Sequence, residues 1–322
     1  MSQRIDISYK TVIFITAFIL GLWLLFLIRD LLLILFSSII LMSALSPLVK
    51  IFVGLKIPRP LSIAITYLII LGIVAGILAS ILPPLIEQTT TLLVSLPPLL
   101  TQIFNITAID KSVISQEFAN LSRNFLTFTL AAFDNLLTFI FLLVTTFYLL
   151  LEKDGLENRV AKLFVGKEER VRKSIVRIEE KLGAWLRGQV ILSLLIGFLS
   201  YIGLFILNIP YALPLAVLAG LMEVIPIIGP IISAIPPILI SLTISPVLAL
   251  AVTATYFIIQ QAENNLIVPQ VMKRAVGLNP LIVILAIAVG SRLLGIAGAL
   301  LAVPIAVVLQ IIVTQVIEEG KL

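Results

Sequence analysis

A proline-rich apolar stretch constrains the fold more than any other part of this sequence. Residues 211–242 are almost all apolar, yet they include five prolines. One straight helix of this length would measure about 48 Å against the roughly 30 Å of a bilayer core, whereas two full crossings need about 40 residues. Because prolines also interrupt helical hydrogen bonding, the stretch predicts two short helices that form a re-entrant hairpin, turning at residues 226–230.

Glu223 lies three residues before this predicted turn. A carboxylate and non-helical backbone are tolerated at membrane depth only where they face protein or water. We therefore interpret the hairpin as part of a binding site. A structural role for Glu223 is the alternative, through hydrogen bonds to free amides of the hairpin or an ion pair with Arg292.

The composition is that of a polytopic membrane protein. Hydrophobic residues make up 60% of the chain and charged residues only 12%, with a mean hydropathy of +1.20. The sequence contains no cysteine and no histidine, which excludes disulfides, thiolate nucleophiles, imidazole proton relays and the usual zinc and haem ligands. We therefore predict no catalytic residue, metal site or cofactor, and proton chemistry would have to use carboxylates.

The apolar segments predict an all-α protein with about six full transmembrane helices and two broken or re-entrant hairpins. A second long apolar stretch, residues 280–316, is interrupted by glycines that include Gly295 and Gly298. The predicted breaks of the first hairpin are Pro226, Gly229 and Pro230. The six full spans are predicted at residues 11–28, 31–49, 61–82, 133–151, 189–208 and 246–261.

Three regions follow from the distribution of polar residues. Residues 1–151 form an N-terminal transmembrane region, interrupted by an extracytoplasmic amphipathic segment at 83–130 with apolar residues at helical spacing between 114 and 125. Residues 152–187 hold ten basic and seven acidic residues and predict a solvated helix with one apolar edge, for which a lipid-sensing role is the alternative. Residues 188–322 form the C-terminal transport unit with both hairpins.

The basic residues predict the orientation. An arrangement with both termini on one side of the membrane collects 18 of the 22 lysines and arginines on that side, which the positive-inside rule makes cytoplasmic. The net charge of +5 therefore points to the lipid bilayer as partner and not to nucleic acid. Re-entrant and fully crossing hairpins give the same orientation, so this count leaves both open.

The two broken stretches share a weak internal repeat. A shift of 66 residues aligns Pro214 with Pro280 and Gly229 with Gly295. The predicted topology runs the two units in opposite directions, so they would form an inverted repeat. Inverted repeats with broken helices near the midplane are typical of secondary transporters.

Five polar residues make up the predicted site for a small polar solute or monovalent cation. Half-helix N-termini and freed carbonyls would replace the hydration of that ligand. The alternatives are helix capping for the acid and amide near residue 263 and a solvent-reaching turn for the arginine. The five residues are Glu223, Gln260, Glu263, Asn264 and Arg292.

The motifs of the C-terminal region resemble those of the autoinducer-2 exporter family, the PerM-type permeases. The resemblance is carried by Leu213-Pro214, Gly220, residues 223–230, Glu263-Asn264-Asn265, Pro269, residues 277–280, Gly295, Gly298 and residues 302–304. It implies a multi-pass transporter of a bacterial inner (plasma) membrane and a homo-oligomer. Members are linked to export of autoinducer-2 and others to sodium-proton antiport.

The predicted function is a secondary transporter that moves a small polar solute similar to autoinducer-2 out of the cell with ion coupling. Sodium(lithium)/proton antiport is the alternative, and a passive pore or a membrane enzyme are alternatives from other classes. No GxxxxGK[ST] motif occurs in the sequence, so the chain itself carries no nucleotide site of that kind. The substrate, the direction of transport and the coupling ion stay open.

Overall fold

Helices make up nearly all of the described chain. The computed structural model describes residues 9–104, 136–226, 228–272 and 277–319. Within these ranges the α-helices are α1 (Tyr9–Leu27), α2 (Arg29–Gly54), α3 (Arg59–Phe104), α4 (Leu136–Lys162), α5 (Glu168–Ile206), α6 (Ala212–Met222), α7 (Ile228–Ile244), α8 (Pro246–Ala262), α9 (Val268–Val271) and α10 (Pro280–Glu319). The predicted all-α architecture is confirmed.

Five described helices contain segments long and apolar enough to cross a membrane. The segments lie in α2, α3, α4, α5 and α10. The two other predicted spans coincide with α1 and α8, which have 19 and 17 residues. Large apolar side chains are exposed along the outer faces of these helices, as lipid contact requires. The chain is therefore a multi-pass membrane protein.

Helix α3 is longer than the sequence predicted. We expected its span to end at Pro83-Pro84, but the helix continues through both prolines to Phe104. The φ angle of proline is compatible with a helix, so two adjacent prolines remove amide donors without forcing the chain to turn. The predicted amphipathic helix between residues 114 and 125 lies outside the described residues.

The charged segment 152–187 is divided between two helices and is not one helix. Helix α4 continues to Lys162, and α5 begins at Glu168 and runs without interruption into the next span. Gly166 in the connecting turn has a φ of 82°, a conformation that glycine adopts without strain. The predicted apolar edge is confirmed, since Leu182 and Trp185 are buried against α2 and α10.

The crossing of α2 and α5 depends on a proline and a glycine. Pro47 lies inside α2 and cannot donate a hydrogen bond to the carbonyl of Ser43. Arg187 Nη1 of α5 donates instead to the carbonyl oxygens of Ser43 and Ala44, at 3.2 and 3.0 Å. A side chain on Gly183 would overlap the Ser43 carbonyl. The two helices can therefore approach this closely only with glycine at this position.

Both apolar stretches with predicted breaks are broken helices. The chain turns between α6 and α7, where a Cβ atom on Gly229 would overlap the backbone oxygen of Met222. Helix α10 is interrupted at Gly295, with φ 62° and ψ −141°, and its arms 280–294 and 296–319 meet where Gly290 faces Gly298. The inverted relation of the two elements stays a prediction.

The ends of the two broken elements are in contact. Ile225, in the turn after α6, packs against Ile287 of the first arm of α10 and against Ala299 and Ala302 of the second. The backbone breaks in the two stretches are therefore neighbours in the fold, although they lie about 70 residues apart in the sequence.

Candidate functional site

Two buried carboxyl groups meet at the end of the first hairpin. Glu223 is the residue directly after α6, and Glu263 follows α8. Their side chains are 2% and 5% exposed and contact each other. The Oε2 atom of Glu223 is buried and has no hydrogen-bond partner among the described residues. Two ionised carboxylates in contact would repel each other, so this pair suits a shared proton or a bound cation.

Helix α8 brings the second carboxylate to the pair. Glu263 opens a π-helical turn, Glu263–Ile267, at the end of α8, and such turns are frequent at functional sites. Gln260 Nε2 donates a hydrogen bond of 3.2 Å to Glu263 Oε2. Gln260 and Glu263 are three residues apart and therefore share one helical face.

Helix α5 holds the backbone of the first carboxylate. Gln189 Nε2 donates a hydrogen bond of 2.9 Å to the carbonyl oxygen of Glu223, and both groups are buried. Glu223 lies just beyond the end of α6, and a buried carbonyl needs a hydrogen-bond donor, which α5 supplies through Gln189. We did not predict Gln189 as a site residue. Its only sequence signal is an amide at the start of an otherwise apolar span.

The structure brings together three of the five predicted site residues. Glu223, Gln260 and Glu263 are in contact. Asn264 is exposed in the π-helical turn, and no hydrogen bond joins its side chain to a described residue. Arg292 is exposed near the end of the first arm of α10 and makes no ion pair with Glu223 or with any other described residue. Within the part of the chain that the structure describes, the acid pair thus forms without a basic partner.

The predicted hairpin breaks lie in the turn after Glu223, in the first turn of α7 and within α10. Pro226 lies in the turn three residues after Glu223, while Gly229 and Pro230 are buried in the first turn of α7. Gly295 has the left-handed φ and Gly298 packs on the Gly290 carbonyl. The breaks shape the turn that begins with Glu223 and the arms of α10 that pack against this turn.

A second polar region lies at the charged ends of α2, α4 and α5. A cavity of about 730 Å³ opens there, with Lys50, Lys181, Glu157 and Glu180 among its lining residues. In its wall Lys153 Nζ lies 2.6 Å from Glu179 Oε2 and donates a hydrogen bond of 3.2 Å to Ser46 Oγ. The sequence analysis did not identify this cavity, because its residues come from segments more than 100 positions apart.

Comparison with known proteins agrees with these features. The family model described as "AI-2E family transporter" matches residues 12–318. YrrI of Bacillus subtilis (strain 168) is 30% identical, over 85% of this chain and 83% of its own length. The AI-2 transport protein TqsA of Escherichia coli (strain K12) is also 30% identical, over 84% of this chain and 82% of its own. This chain of membrane-crossing and broken helices therefore belongs to the AI-2E family of transporters.

Proposed function

We propose that this protein is an ion-coupled secondary transporter and that the Glu223–Glu263 pair binds the coupling ion. The observation that carries the proposal is the contact of two buried carboxyl groups, with Glu223 Oε2 left without a hydrogen-bond partner among the described residues. Intramembrane carboxylates are energetically costly and mark ion pathways in transporters. The solute that we propose is a small polar molecule of the autoinducer-2 type, moved out of the cell, and the name of the relative TqsA supports this choice.

Coupling would arise because a proton and a metal cation compete for the same carboxylate oxygen atoms of Glu223 and Glu263. A proton shared by Glu223 and Glu263 neutralises the pair in one form. In the other form the oxygens of both carboxylates are free to surround a sodium or lithium ion, because hard cations prefer oxygen ligands. The hydrogen bonds from Gln260 to Glu263 and from Gln189 to the Glu223 backbone fix the geometry of the pair in both forms. Exchange of one ion for the other is then the step that drives transport.

The proposed setting is the inner (plasma) membrane, with both termini cytoplasmic and several copies in a homo-oligomer. The distribution of basic residues supports the orientation. In that orientation α5 and α8 have their charged ends toward the cytoplasm, and the acid pair lies nearer to the cytoplasmic side than to the other.

The test is flux into proteoliposomes of the full chain, with autoinducer-2, sodium and lithium compared under imposed pH gradients. We expect Glu223→Gln and Glu263→Gln each to reduce gradient-driven flux at least about tenfold, since each removes one of the two competing carboxylates. Glu169→Gln is the matched control, because Glu169 is exposed on the charged half of α5. Wild-type flux in both pair variants at every pH would disprove the assignment.

Sodium(lithium)/proton antiport is the second candidate function. The acid pair favours it, because alternating proton and cation binding at one pair of carboxylates is sufficient for exchange. Proton movement that depends on sodium or lithium, without counterflow of autoinducer-2, would select antiport. Single-channel currents through the purified protein would instead identify a passive pore, and turnover of a lipid or peptide without solute flux would identify an enzyme.

A further inference from the structure

Buried polar side-chain atoms are concentrated along one interface of the protein. Four of them lie between α5, the first hairpin and α8: two are neighbouring hydroxyl groups, one faces the second carboxylate, and Ser193 Oγ has no hydrogen-bond partner among the described residues. An unpaired polar group inside a membrane protein is costly, and water is its usual partner. The four atoms are Ser193 Oγ, Ser200 Oγ, Glu223 Oε2 and Tyr256 OH.

These atoms follow one face of α5 away from the acid pair. Gln189, Ser193 and Ser200 are spaced by four and seven residues, so they share a helical face that extends over about 16 Å. At one end Gln189 holds the backbone of Glu223. At the other end the hydroxyl groups of Ser200 and Tyr256 lie side by side.

Helix α8 also extends from the hydroxyl groups of Ser200 and Tyr256 to the acid pair. Tyr256, Gln260 and Glu263 are spaced by four and three residues and share a face of α8. Polar groups of α5 and α8 thus run from the hydroxyls of Ser200 and Tyr256 to the carboxylates. The backbones of α5 and α6 also approach each other closely, since a Cβ atom on Gly220 of α6 would lie 2.7 Å from the Ser193 carbonyl oxygen of α5.

An apolar cluster closes the line beyond Tyr256. The cluster is formed by Leu204, Ile209, Leu215, Ile240 and Val252, all nearly or fully buried, and the Tyr256 side chain packs at its margin. At the opposite end Gln260 is only partly buried and Asn264 is exposed. The line of polar groups is therefore nearest to the surface at the end with the acid pair and ends at the apolar cluster.

We propose that Ser193, Ser200 and Tyr256 line a water-filled path for a small monovalent cation, and that the apolar cluster is its closed gate. The inference rests on the proposed function, because it gives the acid pair a route toward the other side of the membrane. Ser200 and Tyr256 are positioning residues in this route. Their hydroxyl groups hold the water that solvates the ion, while Glu223 and Glu263 bind it.

The absence of cysteine from the sequence allows a direct test with single-cysteine variants of the full chain. Ser193→Cys and Ser200→Cys are nearly isosteric replacements. Leu192→Cys and Ile196→Cys are the matched controls, because both are buried apolar positions on the same helix and neither belongs to the apolar cluster. Silver ion, a small monovalent cation that binds thiols, is added to one side of sealed vesicles in chloride-free buffer. Thiols that have not reacted are then counted with a fluorescent maleimide after denaturation.

We expect silver to block Ser193→Cys and Ser200→Cys at least about tenfold faster than the two controls, because entry of an ion into an apolar interface costs several kcal/mol. The block should occur from the side nearer the acid pair. Equal rates in all four variants would overturn the path. A block of Ser200→Cys only from the opposite side would overturn the gate.

The silver reaction requires no transport, so the path and the proposed function can fail separately. If the cysteines at positions 193 and 200 react with silver while Glu223→Gln keeps normal flux, the path is retained and the acid pair is rejected as the coupling site. A second measurement uses Tyr256→Phe, which keeps the ring against the apolar cluster and removes only the hydroxyl group. We expect a several-fold slower ion-driven flux with an unchanged melting temperature, and wild-type flux would contradict the role of Tyr256.

Discussion

The ion pair between Lys153 and Glu179 gives the sharpest stability prediction. The two groups are 2.6 Å apart, and each side chain is only 11% exposed. Lys153→Met keeps most of the side-chain volume and leaves the Glu179 carboxylate buried without its partner, which costs about 3 kcal/mol. For a protein of this size the loss corresponds to a melting temperature lower by roughly 4 °C.

A double replacement distinguishes the cost of the unpaired charge from the cost of altered side-chain packing. Lys153→Met combined with Glu179→Gln removes both charges, so most of the lost stability should return. Lys173→Met is the control, because the Lys173–Glu169 pair has a separation of 3.9 Å and side chains that are 75% and 67% exposed. Exposed pairs of this kind contribute little, and we expect almost no change in melting temperature.

Intrinsic fluorescence can measure these melting temperatures. The sequence has two tryptophans, of which Trp185 is buried on α5, six residues after Glu179, and Trp23 is largely exposed on α1. A Trp23→Phe background makes Trp185 the sole reporter. If Lys153→Met melts at the same temperature as Lys173→Met, or if the double variant is no more stable than Lys153→Met, the pair does not hold the charged ends of α4 and α5 together.

Two glycine substitutions test the broken helices. In Gly229→Ala the new Cβ would overlap the Met222 carbonyl, so we expect the hairpin to open, with a lower melting temperature and loss of the ion-driven flux. Gly295→Ala forces φ 62° and ψ −141° on a residue with a side chain, a strain of about 1–3 kcal/mol that should appear as a lower melting temperature. The control for both is Gly76→Ala in α3, which has nothing within 4 Å of the new atom; equal damage in the control would contradict both predictions.

The sequence was sufficient to predict features that depend on backbone chemistry. Prolines and glycines restrict or release the backbone wherever they occur, so the breaks near Pro226 and at Gly295 could be located without a structure. The length of the apolar runs likewise predicted the helices. The same local reasoning was wrong at Pro83-Pro84, because a proline pair disfavours a helix without forbidding one, and the neighbouring apolar residues continue α3.

The sequence was insufficient for contacts between distant segments. Glu223 and Glu263 were both identified from their position near apolar breaks, but nothing in the spacing of 40 residues required their carboxyl groups to meet. Gln189 and Lys153 were missed because their partners are a backbone carbonyl and a carboxylate on other helices. Such pairings depend on how helices cross, and the crossings depend on close approaches such as that of Gly183 to the Ser43 carbonyl.

The second arm of α10 connects the charged ends of the bundle with the acid pair. Val303 of this arm packs in the cluster that contains Leu182 and Trp185. Its neighbour Ala302 belongs to the cluster against which Ile225 packs, two residues from Glu223. Because packed side chains resist gradual deformation, a displacement of α5 relative to α10 must move the hairpin end that carries Glu223 or break one of these contacts. The arm joins its partner at Gly295, where the backbone is non-helical, so the two arms do not form one continuous helix. The carboxylate at the hairpin end, which we propose to bind an ion, is thus linked through packed side chains to the charged half of α5, and alternating exposure of a coupled site would require such a linkage.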